Sequence, residues 1–232
     1  MFSIIIPTFN NLDYVKILLL SLKKNSTLNH EIIFHVNEGS DGTINFLNKN
    51  NYKYTFSKKN LGLCTGTNLA ASKATSEYIL YSHDDMYFCP GWDKAISKEV
   101  NRLDTKAFYI SGTMIEKSSG HIQIDCGNDH KDFNEDKLLN NFDKIKYFNH
   151  QGSHWAPHLI HKEYWNKIGG FSEEFNPGIG SDPDLNMKLW IAGVRIFKGL
   201  NNFRVYHFSS ISSRKKINFK RNKGAKTFLI KW

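Results

Sequence analysis

The chain of 232 residues predicts an α/β fold built on a mainly parallel, Rossmann-like sheet with helices on both faces. Two observations carry that expectation. Short β-branched runs alternate with amphipathic helical spacings through the first 90 residues, the pattern of right-handed βαβ units. Each of these runs also stops at a polar loop, and in open α/β sheets ligands bind beyond the carboxyl ends of the strands. A hydrophobic content of 40% with 23% charged residues fits one substantial globular unit and argues against disorder.

Phe2 to Pro7 is a β-branched run closed by proline and reads as a buried strand. Val15, Leu18, Leu19 and Leu22 then share one helical face within Leu12 to Leu22. Glu31 to Val36 is a second strand, Asn37 to Gly42 a turn-rich loop, and Thr43 to Lys49 a helix. Tyr52 to Phe56 forms a third strand, Asn68 to Lys73 a helix, and Glu77 to Tyr81 a fourth strand ending at Ser82-His83-Asp84-Asp85. Beyond it the periodicity weakens. Ala107 to Ser111 and His121 to Asp125 are expected strands, and Asp129 to Phe148 is expected to be a polar, mobile excursion. Glu163 to Ile168 is a helix closed by Gly169-Gly170, and Asp184 to Ala192 is another, stopped at Gly193. Val194 to Phe197 and Phe203 to His207 read as two edge strands.

No apolar run approaches the roughly 18 residues that cross a bilayer, and Phe2 to Pro7 is too short for a secretory signal. Cys64, Cys89 and Cys126 are odd in number and widely spaced, which points away from a disulfide framework or zinc knuckle and towards a reducing cytoplasm. The net charge of +9 is concentrated late: Leu185 to Trp232 holds 12 Lys or Arg and no acid, whereas the preceding 184 residues sum to −3. That segment is either a solvated tail or a surface for phosphates, anionic lipid or nucleic acid.

Three groups have chemical potential. Asp84 and Asp85, adjacent carboxylates at a strand end, need a cation or a hydroxyl-rich ligand, and carboxylates suit Mg²⁺ or Mn²⁺; a turn or helix cap is the competing reading. Asp182 and Asp184 precede a helix, where they serve as caps or, with an acceptor hydroxyl nearby, one of them as general base. His207 follows a strand, a position more often structural than ligating. His154, His158 and His161 lie around Pro157 without a nearby cysteine and read as loop residues, with Trp155 a candidate to stack on a sugar.

The order of segments is more specific than any of them alone. Ser3-Ile-Ile-Ile-Pro-Thr-Phe-Asn10, Asn37-Glu-Gly-Ser-Asp-Gly-Thr43 and Asn60-Leu-Gly62 with Asn68 come first. Tyr78 to Asp85, Ile168-Gly-Gly-Phe-Ser-Glu-Glu-Phe175 and Ser181-Asp-Pro-Asp184 follow. Over residues 2 to 210 the chain resembles family 2 glycosyltransferases. The resemblance implies a GT-A fold of residues 1–210, with a nucleotide-binding half to about residue 90, an acceptor-binding half after it, and a basic extension over 211–232. It also implies an inverting, hexosyl-type transferase fed by a nucleotide-diphosphate sugar, with a UDP-sugar as the default donor.

By the same resemblance, Pro7, Thr8, Asn37, Glu38, Asn60, Gly62, Asn68, His83 and Asp84 line the donor site, although relatives usually carry Asp at Asn37. The Asp-x-Asp-type metal motif falls on His83-Asp84-Asp85, so that Asp84 or Asp85, completed by His207, holds Mn²⁺ or Mg²⁺. Asp182 takes the place of the general base, and Trp155 and Asp184 belong to the acceptor side. The Gln-x-x-Arg-Trp motif of processive relatives is absent, which favours single additions to a carbohydrate, lipid-linked or protein acceptor in surface glycan or glycolipid synthesis. Such an enzyme is expected in the cytoplasm, with a peripheral contact to the inner membrane face through the basic C-terminus and no nucleic-acid partner. A sugar-nucleotide pyrophosphorylase is the competing enzyme class, yet Asn10-Asn-Leu-Asp13 is not its Gly-rich basic loop. A nucleic-acid-binding module, drawn from Arg214-Lys-Lys216 and Lys220-Arg-Asn-Lys223, leaves the acidic loop unexplained.

Overall fold

The computed structural model describes residues 1–152, 155–209 and 217–232, with side chains in the last segment from Lys223 onward. His154 and Arg214-Lys-Lys216 therefore lie outside the described residues. The first half alternates as its sequence pattern demands: β1 (Ser3–Phe9), α1 (Leu12–Asn25), β2 (Glu31–Asn37), α2 (Thr43–Lys49), β3 (Lys53–Ser57), α3 (Leu63–Ala71) and β4 (Tyr78–Tyr81). β1 pairs in parallel with β2 and β4, and β2 with β3. Ile4, Ile5 and Ile6 of β1 are fully buried, as expected of a parallel strand covered on both faces. In α1 the buried face is Val15, Leu18, Leu19 and Leu22.

The second half contributes β5 (Met86–Phe88), α4 (Trp92–Arg102), β6 (Phe108–Glu116), β7 (Ile122–Gln123), α5 (Glu135–Leu139), β8 (His150–Gln151) and β9 (His158–His161). α6 (Lys162–Ile168), a 3-10 turn at Glu173–Phe175, α7 (Ser181–Ile191), β10 (Ile196–His207) and α8 (Ile217–Lys231) follow. The ten strands among the described residues join one sheet in the order β3-β2-β1-β4-β9-β6-β10-β5, with β7 beside β6 and β8 beside β10. β9 runs antiparallel to both β4 and β6, so β6 and its parallel neighbour β10 point the same way as β1 to β4. With β7, which is parallel to β6, seven of the described strands thus run in one direction.

Four expectations are corrected. β5 and α4 carry no prediction, although Trp92, Ala95, Ile96 and Glu99 recur at helical spacing and are buried. His158 and His161 are not loop residues but the ends of a central, buried strand, and Pro157 sits just before it, where a strand tolerates a missing N–H. The two expected edge strands are one, β10, lying between β6 and β5. Its polar interruption at Asn201-Asn202 falls at a register shift between Leu200 and Arg204. That irregularity bends the strand and lets β5 reach it after only the short loop 82–85.

The fourth correction concerns the excursion 129–148, which is packed rather than mobile. Phe133, Leu138, Leu139, Phe142 and Tyr147 join Tyr87, Ile115, Tyr206 and Phe208 in a second apolar cluster. Arg204 anchors it from below, donating to the carbonyls of Phe142, Ile145 and Asn201. Arg204→Met should leave these carbonyls without their charged donor and cost about 3 kcal/mol. Urea denaturation of the two proteins measures it; a change under about 0.5 kcal/mol, typical of an ordinary surface site, would show the anchor to be idle.

Candidate active site at the carboxyl edge

The loops after β1 and β2 are tied to one another. Asn10, at φ 48°, donates through its amide to Glu38 Oε2 (3.3 Å) and accepts from the Ser40 N–H (2.9 Å). Asp41 Oδ2 accepts from the Leu12 N–H at 2.7 Å. Pro7 and Thr8 are buried at the end of β1, while Glu38 is exposed. Asn37 is buried, and its Oδ1 accepts from the Leu61 N–H (2.8 Å) and the Ser57 hydroxyl (3.2 Å). An Asp in its place would take those two donors equally well; the amide adds a donor in a region walled by His35 and Gly66.

Asn60 accepts from the Gly62 N–H (2.9 Å), and Gly62 starts α3 at φ +87°, where a side chain would strike Asn176. Asn176, unremarked in the sequence, caps that helix: its Oδ1 accepts from the Cys64 N–H (2.9 Å) and its amide donates to Thr65 Oγ1 (2.8 Å). Asn68 is paired at both ends with the backbone of Phe171, at 2.8 and 2.9 Å. Asn37, Asn60 and Asn68 therefore hold loops in place around the edge. Two of these links join the first half of the chain to the segment 168–180.

The loop 82–85 is placed by both of its flanks. The Ser82 N–H donates to Ile5 O (3.1 Å), and β5 pairs with β10 so that Met86 faces His207. That register brings His207 Nε2 to 3.3 Å from Asp85 Oδ1. His83 joins them: one ligand atom from each of His83, Asp85 and His207 lies within 4.8 Å of the others. Asp84 turns aside, accepting from the Asn11 amide at 3.1 Å. Burial, and then the adjacent Asp85, push the Asp84 carboxyl up.

Glu116, at the end of β6, accepts from His207 Nδ1 at 2.6 Å and fixes the ring with Nε2 towards Asp85. Burial opposes both charges, but the pairing prevails: Glu116 is held at about 2 and His207 up at about 10. Burial pulls His83 down to about 4, against the attraction of Asp85. The set suits a divalent ion. It offers a neutral imidazole, a carboxylate, and a second imidazole oriented by a carboxylate behind it, the arrangement that metal-ligating histidines adopt. Two nitrogens and one oxygen fit Mn²⁺ better than all-oxygen Mg²⁺. Loss of the His207 proton would accompany binding.

On the same edge, α7 opens at Gly180 (φ +88°) with no side-chain cap. Neither Asp182 nor Asp184 caps it, so that reading of these residues falls away. Asp184 is fully buried and paired, with Ser172 Oγ at 2.6 Å. Asp182 is partly exposed, its Oδ1 is buried without a hydrogen-bond partner among the described residues, and burial raises it to about 7. Tyr81 connects the two regions: its ring lies 5.5 Å from that of His83, and burial, then Asp182, Cys64, Asp84 and Asp85, raise its hydroxyl well above the ordinary range. Trp155, 44% exposed, stands before β9 with its ring 5.5 Å from that of His121.

The profile of glycosyl transferase family 2 matches residues 3–168, more than half of the sequence. The chain belongs to glycosyl transferase family 2. Among curated proteins none matches it. Solved structures share the fold: Staphylococcus aureus TarS 1-349 has a TM-score of 0.67 at 19% identity, over 89% of this chain and 60% of that one. The same fragment in complex with UDP-GlcNAc gives 0.65 at 19% identity, over 90% and 60%. GalNAc-T7 with UDP, GalNAc and Mn²⁺ gives 0.68 at 14% identity, over 89% and 43%. This family 2 member thus spans about 60% of the TarS fragment. No helix among the described residues is long and apolar enough to cross a membrane.

Proposed function

We propose that this family 2 member is an inverting glycosyltransferase that uses Mn²⁺ and a UDP-sugar and makes single additions to a carbohydrate, lipid-linked or protein acceptor. The observation that carries the reading is the presence of His83, Asp85 and His207 on the sheet edge where α7 also brings Asp182, whose Oδ1 has no hydrogen-bond partner among the described residues. The UDP, UDP-GlcNAc and Mn²⁺ named with the similar structures support the donor and ion. His83, Asp85 and His207 would hold the ion, with Glu116 orienting His207 and Asp84 left to the ribose. A divalent ion there supplies positive charge against the leaving diphosphate. Pro7, Thr8, Asn37 and Glu38 frame the base and ribose; Asn60, Gly62 and Asn68 shape the donor loops from behind. Asp182 takes the proton from the acceptor hydroxyl as that oxygen attacks the anomeric carbon from the face opposite the diphosphate, which inverts the centre. Trp155 gives the acceptor an aromatic face.

For location we propose the cytoplasm, with contact to an anionic membrane face through the basic C-terminus. Leu229 and Ile230, both exposed beside Lys223 and Lys226, support that contact. Surface glycan or glycolipid synthesis is the matching role.

Thermal unfolding with UDP, GDP, CDP and ADP, each with and without Mn²⁺, tests the assignment. UDP should stabilise weakly alone and much more strongly with Mn²⁺, by about 2.7 kcal/mol at a hundredfold excess over the Kd in Mn²⁺. Equal stabilisation without metal would remove the ion from the reading. The base also sets a pH dependence. Asp182 must be ionised to accept a proton, and burial holds it at about 7, so turnover should fall tenfold per unit as pH drops below 7. A rate flat from pH 7 to 5 would exclude Asp182.

A further inference from the structure

The C-terminal helix α8 bears on the catalytic half in a way that neither its charge nor the family order explains. Gly224, Phe228 and Lys231 recur at helical spacing and form one face. Gly224 passes so close to Ile179 that a Cβ there would run into the Ile179 carbonyl, while Gly180, the residue that opens α7, lies against the Gly224 carbonyl. Phe228 packs on the main core. At the end of the same face, Lys231 Nζ stands 2.9 Å from Asp184 Oδ1, 2.5 Å from Glu174 Oε1 and 3.0 Å from Ser172 Oγ. Trp232 Nε1 donates to Asp184 Oδ1 at 3.0 Å. Among the described residues, two of the three donors on this buried carboxylate come from α8 and the residue after it, and Ser172 is the one near in sequence.

Asp184 occupies the first turn of α7, two residues beyond Asp182. Among the described residues that turn has no side-chain cap, and Asp182 Oδ1 has no hydrogen-bond partner to orient it. The direction of Asp182 therefore follows the direction of the turn, and the turn is pinned through Asp184. We propose that Lys231 and Trp232 are positioning residues: by clamping Asp184 they fix the first turn of α7 and so aim Asp182 at the acceptor hydroxyl. The inference rests on Asp182 as general base, assigned above. It makes α8 a working part of the acceptor side rather than an appendage, and it gives Gly224 a reason to be glycine.

Two independent routes undock the helix in the full chain. Lys231→Met removes the cation, and Gly224→Ala, which favours the helix itself, places a methyl against Ile179. Amide hydrogen exchange of peptides covering 178–186 should rise at least tenfold in both variants, and UDP release from UDP-GlcNAc with Mn²⁺ should fall at least tenfold. The Kd for UDP in Mn²⁺ should stay within twofold, and Lys231→Arg should restore most of the turnover. Because Lys231 acts through Asp184, adding Lys231→Met to Asp184→Asn should lower turnover no further. Unchanged exchange in both variants, turnover within twofold of the parent, or a parallel tenfold loss of UDP affinity each overturn the proposal. Asp182→Asn separates the two readings. If it leaves turnover intact the base assignment fails; if it removes turnover while Lys231→Met and Gly224→Ala do not, only the clamp fails.

Discussion

Asp182→Asn should lower turnover about a thousandfold, within the range that a positioned general base contributes, and leave Mn²⁺-dependent UDP binding unchanged. The substitution keeps shape and removes the proton acceptor. Asp182 suits this role because burial lifts it to about 7, so that near neutral pH a large share is ionised and that form is a stronger base than an ordinary carboxylate. Asp184 makes the instructive contrast. It lies two residues on in the same turn, fully buried, with Ser172, Lys231 and Trp232 on its two oxygens. Asp184→Asn should weaken the fold and blunt turnover, but the remaining activity should keep its fall below pH 7. In Asp182→Asn that fall should disappear from the residual rate. If the two variants exchange these phenotypes, Asp184 is the base.

The first half of the fold is legible because β1, β2 and β4 are mainly apolar runs with a clear stop, while β3 reads from its Tyr, Thr and Phe. Ile4 to Ile6 before Pro7, and Ile32 to Val36 before Asn37, could hardly be anything but covered strands. The second half hides its strands. β9 is His-Leu-Ile-His, and two histidines beside Pro157 read as loop because nothing local says that His158 is fully buried with Tyr109 on its Nδ1 at 3.1 Å. β10 looked like two strands because Asn201 and Asn202 interrupt it, and only the sheet shows that the break is a change of register.

The site was legible to the same limited degree. Asp85 and His207 followed from the order of motifs, but which of three consecutive residues would turn with them did not. The sequence leaves the metal ligand open between Asp84 and Asp85, with Asp84 also a donor contact and His83 a donor contact; in the structure His83, Asp85 and His207 lie together, and β5 pairs Met86 with His207. Glu116, Asn176, Lys231 and Trp232 act across 91, 112, 57 and 48 residues, and no spacing rule reaches that far.

Asp85→Ala should abolish the Mn²⁺-dependent part of UDP affinity, the largest binding effect expected from any one residue here. Asp85 is the only carboxylate in the group with His83 and His207, and without it two imidazoles face a divalent ion with no opposing charge. The loss should be read as the difference between titrations with and without Mn²⁺, so that a change in the fold does not pass for a change in the site. Asp84→Asn should behave differently, lowering UDP affinity in both titrations, since its carboxyl faces Asn11 rather than His207. Glu116→Gln supplies the graded case. It keeps a hydrogen-bond acceptor for His207 Nδ1 but removes the charge that orients and enriches the ring, and loss of such a support costs metal sites about 10–100-fold in affinity. The expected order in Mn²⁺ titration is therefore parent, Glu116→Gln weaker, and Asp85→Ala without detectable binding. An Asp84→Asn protein that loses all metal dependence while Asp85→Ala keeps it would move the ion one residue back along the loop, and His83 and His207 would then have to be reassigned with it.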